Sequence, residues 1–124
     1  MIRNQMSSLH FHIERLSELL QREIGTIIAL EMRDPRIPAV VTVTHVKLAQ
    51  DTRNATVFVS IFGEPDTRKS AIDALNGAAP FIQKLLSSRV SIKHFPRLYF
   101  KLDNSVEQGH HINELLKEIQ DDLA

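Results

Sequence analysis

The chain has no cysteine among its 124 residues. That removes disulfides and thiolate metal sites and fits a reducing compartment. Its apolar runs all fall short of the about 20 residues needed to cross a bilayer. The opening residues, MIRNQMSSLHFHIERL, carry charge where a secretory signal needs an apolar stretch. A cytoplasmic protein without membrane contact is therefore expected. Glycine is scarce: Gly25, Gly63, Gly77 and Gly109 are the only four, and they have none of the spacings that cradle phosphates. There is no nucleophile elbow and no HExxH pair. His10 and His12, like His110 and His111, are spaced so that the two rings of each pair diverge on a helix, which leaves no metal set and no cofactor implied. Glu14, Glu18, Glu31 and Asp34 read as helix-surface charges. Nothing assembles a nucleophile, a base and oxyanion donors, so an enzyme is not expected.

What is present is an ordinary globular composition, 43% hydrophobic and 24% charged, which argues against disorder. The length suits one domain spanning residues 1–124 with a core of its own. The net charge is zero, but it is unevenly spread. Residues 74–102 hold Lys84, Arg89, Lys93, Arg97 and Lys101 with no acid, whereas residues 103–124 hold six acids against Lys117. One basic face for a polyanion and an acidic helix elsewhere would explain this, as would two solvated faces.

Periodicity orders the elements. Leu9, Ile13, Leu16, Leu20, Ile24, Ile27 and Ile28 step by three and four, which predicts a helix from about 8 to 33 with Ser7 or Ser8 as its cap. The segment DPR ends it. AVVTVTHVKLA (39–49) and NATVFVSIF (54–62) read as strands joined by a hairpin turn. GEPDT (63–67) is a turn in which Asp66 or Thr67 caps a helix over 67–78. A further helix covers 80–89, and HFPRLYFKLD (94–103) is a strand with Leu98, Phe100 and Leu102 on one face and Arg97, Tyr99 and Lys101 on the other. Ser105 and Gln108 form a capping box for a last helix with the stripe Ile112, Leu115, Leu116, Ile119 and Leu123. The order α-β-β-α-α-β-α predicts an α+β fold, one three-stranded sheet with helices packed on one face.

The joint between the paired helices reads NGAAPF. Pro80 suits the first residue of a helix, where its missing N–H costs nothing. The N–H groups of Phe81, Ile82 and Gln83 would then be unclaimed, and Ala79 has no side chain to cap them. Such donors attract phosphate, and small Gly77, Ala78 and Ala79 would admit a backbone closely. A plain corner whose donors bind water is the simpler alternative. The cations that follow would contact phosphates without reading bases, with Tyr99, the lone tyrosine, as a stacking plane.

These features together resemble the ribosome-binding factor A family. The order is that of a type II KH-like domain, but the helix pair is joined by Ala78, Ala79 and Pro80 in place of a GxxG loop. LEMRDPRI (30–37), VKLAQDTRNATVFVSIF (46–62) and FPRLYFKLDNSVEQG (95–109) resemble the family's stretches in the same order, through Asp51, Ala55, Val57, Pro96, Leu98, Phe100, Asp103 and Ser105. Proline stands where the family usually has glycine, which forbids a left-handed residue at that position.

The resemblance implies a ribosome-assembly factor that binds the small ribosomal subunit and its ribosomal RNA and assists their late maturation, notably in the cold. It would act as a monomer, with an assembly GTPase as a candidate partner. Lys84, Arg89, Lys93, Arg97 and Lys101 are the expected phosphate contacts, and Arg33 and Arg36 a second tier. The alternative is a homo-oligomer that joins the basic segment of one copy to the acidic helix of another.

Overall fold

The computed structural model describes residues 2–37 and 41–104, with side chains from residue 12 onward. The elements are α1 (Ile2–Glu31), β1 (Val41–Leu48), β2 (Asn54–Ile61), α2 (Pro65–Gly77), α3 (Ala79–Arg89) and β3 (Arg97–Leu102). The order expected from periodicity is therefore present through β3. The expected capping box at Ser105, the helix after it and the His110–His111 pair lie outside the described residues, as do residues 38–40 of the expected first strand.

Several boundaries differ from expectation. α1 begins at Ile2, so Ser7 and Ser8 lie inside the helix and not at its start. It ends at Glu31, before Arg33, because Asp34-Pro35-Arg36-Ile37 closes a turn of its own: the Ile37 N–H donates to Asp34 O at 3.0 Å, with Pro35 at the position its fixed φ favours. α2 starts two residues early, at Pro65, with Glu64 in the cap position and Asp66 in the first turn. Proline is at home there, where no N–H is required.

β2 is the central strand. It pairs antiparallel with β1 and parallel with β3. A parallel return needs a long crossover, and α2 and α3 supply it. One face of the sheet is buried. Val43, Val46, Ala55, Val57, Val59, Leu98 and Phe100 join Leu20, Ile24 and Ile27 of α1, Leu75 of α2 and Ile82 and Leu86 of α3 in one apolar cluster. Burying each large side chain contributes about 1.5–3 kcal/mol, so this cluster fixes which face each strand residue takes.

The alternation is broken once. The register runs Val43↔Val59 and then His45↔Phe58, with Thr44 as the extra residue. Without that bulge, His45 would keep step with Val43 and face the core; one inserted residue turns it to the open side. The Thr44 hydroxyl then donates to the Asp103 carboxylate at 2.5 Å, with Phe58 O a longer 3.3 Å away.

Both free sheet edges are capped by a side-chain amide. Gln21 of α1 donates to Thr44 O at 3.2 Å. Asn76, in the last turn of α2, donates to Phe100 O at 3.1 Å and accepts from the Phe100 N–H at 2.8 Å. That reciprocal pair imitates a fourth strand over one residue, and such capping blunts an edge that could otherwise pair with another chain.

Candidate nucleic-acid interface

The helix break is shallower than its sequence suggests. Ala78 alone separates α2 from α3, with φ −90° and ψ 0°. Its N–H still donates to Ala74 O at 3.0 Å, and its carbonyl still accepts from the Ile82 N–H at 3.0 Å. No residue of the joint is left-handed; among the described residues only Thr52 and Gly63 have positive φ. The proline thus forbids nothing that this geometry needs. α3 starts at Ala79, so Pro80 is its second residue rather than its first. That one-residue offset claims the Ile82 N–H, one of the three donors expected to be unclaimed. A Cβ added to Gly77 would meet nothing within 4 Å, so the outer side of the joint is open space.

On the helix side, Phe81 is 49% exposed and lines a hollow of about 650 Å³ with Met32, Arg33, Pro35 and Arg36. The end of α1 therefore brings Arg33 and Arg36 to the break. Lys84 lies one turn along α3 from Phe81 and is exposed. Two of the expected phosphate contacts already hold carboxylates here. Arg36 makes a fork with Asp34, Nε to Oδ1 at 3.1 Å and Nη2 to Oδ2 at 2.8 Å. The hydrogen bonds from the Arg36 guanidinium and backbone N–H hold the Asp34 carboxyl below its ordinary range, and the carboxylate raises Arg36 in turn. Arg89 Nη2 reaches Glu31 Oε1 at 3.1 Å. The stretch that is acid-free in sequence is therefore not acid-free in space.

The cations of β3 lie elsewhere. Leu98 and Phe100 face the helices, so Arg97, Tyr99 and Lys101 face the opposite side of the sheet. There they stand beside residues of the other two strands: Lys101 is in register with Phe58 and Tyr99 with Thr56. Those in turn pair with His45 and Lys47 of β1. The His45 and Phe58 rings stack with centroids 6.2 Å apart and planes 27° apart. The single basic patch expected from the sequence is thus two groups: Arg33, Arg36, Lys84 and Arg89 on the helix side, Arg97 and Lys101 on the open sheet face.

Lys93 sits in the connection from α3 to β3, between the groups. Beside it, a cleft of about 630 Å³ is lined by Arg53 of the hairpin turn, Gln83 of α3, and His94 and Arg97. The Arg97 N–H donates to Arg53 O at 2.8 Å, which seats β3 against the end of the hairpin. Among the described residues, no group of three or more metal-ligating side chains is present, and no helix is long and apolar enough to cross a membrane.

Sequence reasoning missed Phe81, Lys47 and the stacked His45–Phe58 pair. Phe81 has the spacing of a core residue on α3 and no local signal of exposure. His45 reaches the open face only through the bulge at Thr44, which an alternating TVTHVKL segment does not announce.

Comparison with known proteins places these features. The family model described as ribosome-binding factor A matches residues 12–116. The ribosome-binding factor A of Thermomicrobium roseum is 45% identical over 106 residues, covering 86% of this chain and 81% of that one. That of Halothermothrix orenii is 43% identical over 108 residues, covering 87% and 88%. Among solved structures, the crystal structure of ribosome-binding factor A from Thermus thermophilus aligns with a TM-score of 0.67 at 29% identity, covering 75% of this chain and 97% of that one. Coordinates of the Thermus thermophilus protein fitted into a cryo-EM map of its 30S complex align with a TM-score of 0.60 at 28% identity, covering 71% and 91%.

Proposed function

The chain belongs to the ribosome-binding factor A family, and from that premise we propose that it binds the small ribosomal subunit through its ribosomal RNA and assists late maturation of both, with no catalytic step of its own. The observation that carries the reading is the likeness to the Thermus thermophilus protein fitted into a 30S complex, at a TM-score of 0.60. The proposal extends to a cytoplasmic monomer, to a role in the cold and to an assembly GTPase as a further partner; these rest on the family resemblance.

Lys84, Lys93, Arg97 and Lys101 are exposed, and no ion pair is seen for them among the described residues. They are the phosphate contacts of this proposal, with Arg33 joining Lys84 on the helix side. Arg89 and Arg36 supply charge from positions held by Glu31 and Asp34. A surface pair is worth about 0–1 kcal/mol, so a phosphate can compete for either guanidinium. The bases need not be read, since phosphate contacts position without specifying sequence.

The test is charge reversal at sites with no internal partner: Lys84→Glu, Lys93→Glu and Lys101→Glu together, with small-subunit binding measured across a salt series. Each lost phosphate contact lowers the slope of log affinity against log salt by about 0.7–0.9, so the triple variant is expected to lose roughly two units of slope and to bind more weakly at low salt. Unchanged affinity and slope in a variant with intact circular dichroism would refute the assignment. A salt-sensitive dimer with no affinity for subunits would favour pairing between copies instead.

A further inference from the structure

We propose that the open face of the sheet is a stacking platform for unpaired nucleotides, with bases on Tyr99 and on the His45–Phe58 pair and phosphates on Lys47, Lys101 and Arg97. The inference rests on the proposed RNA binding and names the class of RNA: single-stranded segments, since a duplex hides its base faces.

Register places Lys47, Thr56 and Tyr99 in one row across the three strands, and His45, Phe58 and Lys101 in the next. Each row thus carries an aromatic group and a cation. Neighbouring strands are about 4.8 Å apart, so Lys101 stands beside Phe58, while Lys47 and Tyr99 flank Thr56 two strand spacings apart. The rows are two residues apart along β3, so successive bases on an extended strand can meet successive rings. Thr56, beside Tyr99 in its row, is too small to shield either ring. Tyr99 is 44% exposed.

The core cannot account for these rings. Among the described residues, the apolar cluster lies wholly on the helix side, and nothing apolar there needs Tyr99 or Phe58 as a partner. Charge points to a polyanion as the occupant. Asp103, whose carboxylate accepts from the Thr44 hydroxyl, keeps its charge, but Lys47, Arg97 and Lys101 outnumber it. Exposed rings interleaved with cations on a sheet are the combination with which single-stranded RNA is held, by stacking that tolerates any base and by phosphate charge.

The chain carries its own reporter. Tyr99 is its one tyrosine and there is no tryptophan, so intrinsic fluorescence reads this face alone. Titrate the full chain with oligouridylate, with duplex RNA and with inorganic polyphosphate, which has charge but no bases. Saturable quenching of Tyr99 by oligouridylate alone is expected, and Phe58→Leu should weaken that binding about tenfold with circular dichroism unchanged. The proposal is overturned if polyphosphate quenches equally, if Phe58→Leu binds as the parent does, or if Tyr99 is unmoved at saturating oligouridylate. The last result is also the one expected if the chain's own acidic residues 105–124 fill the face. Small-subunit binding is read separately by sedimentation, so a chain that pellets with subunits but shows no quenching loses this inference and keeps the proposed function.

Discussion

On the covered side of the sheet, Ala55 and Val57 are fully buried and Leu98 and Phe100 are no more than 3% exposed. On the other side, their immediate neighbours Thr56, Phe58, Arg97, Tyr99 and Lys101 are half-buried or exposed. The same strands therefore carry two kinds of constraint. Covered positions are dictated by the core, because a one-residue slip would send every apolar side chain into water. Open positions are not, so the rings and cations gathered there need another reason. The helix side differs again. Its cations stand just past the end of α1 and along α3, and half of them are tied to Glu31 and Asp34. Charge read along the chain is thus not charge read in space: the alternation of β3 sends Arg97 and Lys101 to the side of the sheet opposite Lys84 and Arg89.

The contrast between the two sides fails most severely if the shared core is weakened. Ile82 is fully buried directly beneath the break, and Ile82→Ala should cost about 2–5 kcal/mol, seen as a lower denaturation midpoint. Both faces should lose RNA affinity together, since both are held by the same cluster. Asn76→Ala acts on the link between the sides. It removes both hydrogen bonds to Phe100 and should cost about 1–3 kcal/mol, with faster hydrogen exchange at the Phe100 amide and a smaller effect at Val57. Exchange at Phe100 unchanged from the parent would show that the helix break is seated by packing alone. Gly77→Ala is the mildest change and touches the helix side only. With no neighbour in its way and no positive φ, alanine should stabilise α2 by about 0.5–1 kcal/mol. If small-subunit affinity falls while stability rises, the joint lies close to a nucleic-acid backbone; the Tyr99 face should not respond.

Much of the fold was legible because burial imposes period. The three-and-four spacing of α1 and the alternation Leu98-Tyr99-Phe100 followed from which face each side chain must take. Start signals were less reliable. Ser7 and Ser8 offer cap chemistry, yet the helix continues through them to Ile2, because a cap is optional wherever the preceding residues can remain helical. The position of the break was written in Pro80, but its geometry was not: a single residue in ordinary right-handed conformation suffices, and the missing proline N–H falls in a first turn where it is not needed. The site was harder. The Arg89–Glu31 contact joins residues 58 apart in sequence, and no local pattern announces it. The open-face pair of His45 with Phe58 depends on a one-residue bulge, and alternation alone would have pointed His45 into the core.

Both faces take their roles from the proposed engagement of the small ribosomal subunit, and sedimentation tests that engagement without intermediaries. The chain is incubated with free small subunits and, separately, with translating ribosomes, and each pellet is assayed. It should pellet with free small subunits in a salt-dependent manner and stay in the supernatant with translating ribosomes. A correctly folded chain that remains soluble beside free small subunits at low salt would contradict the proposed function.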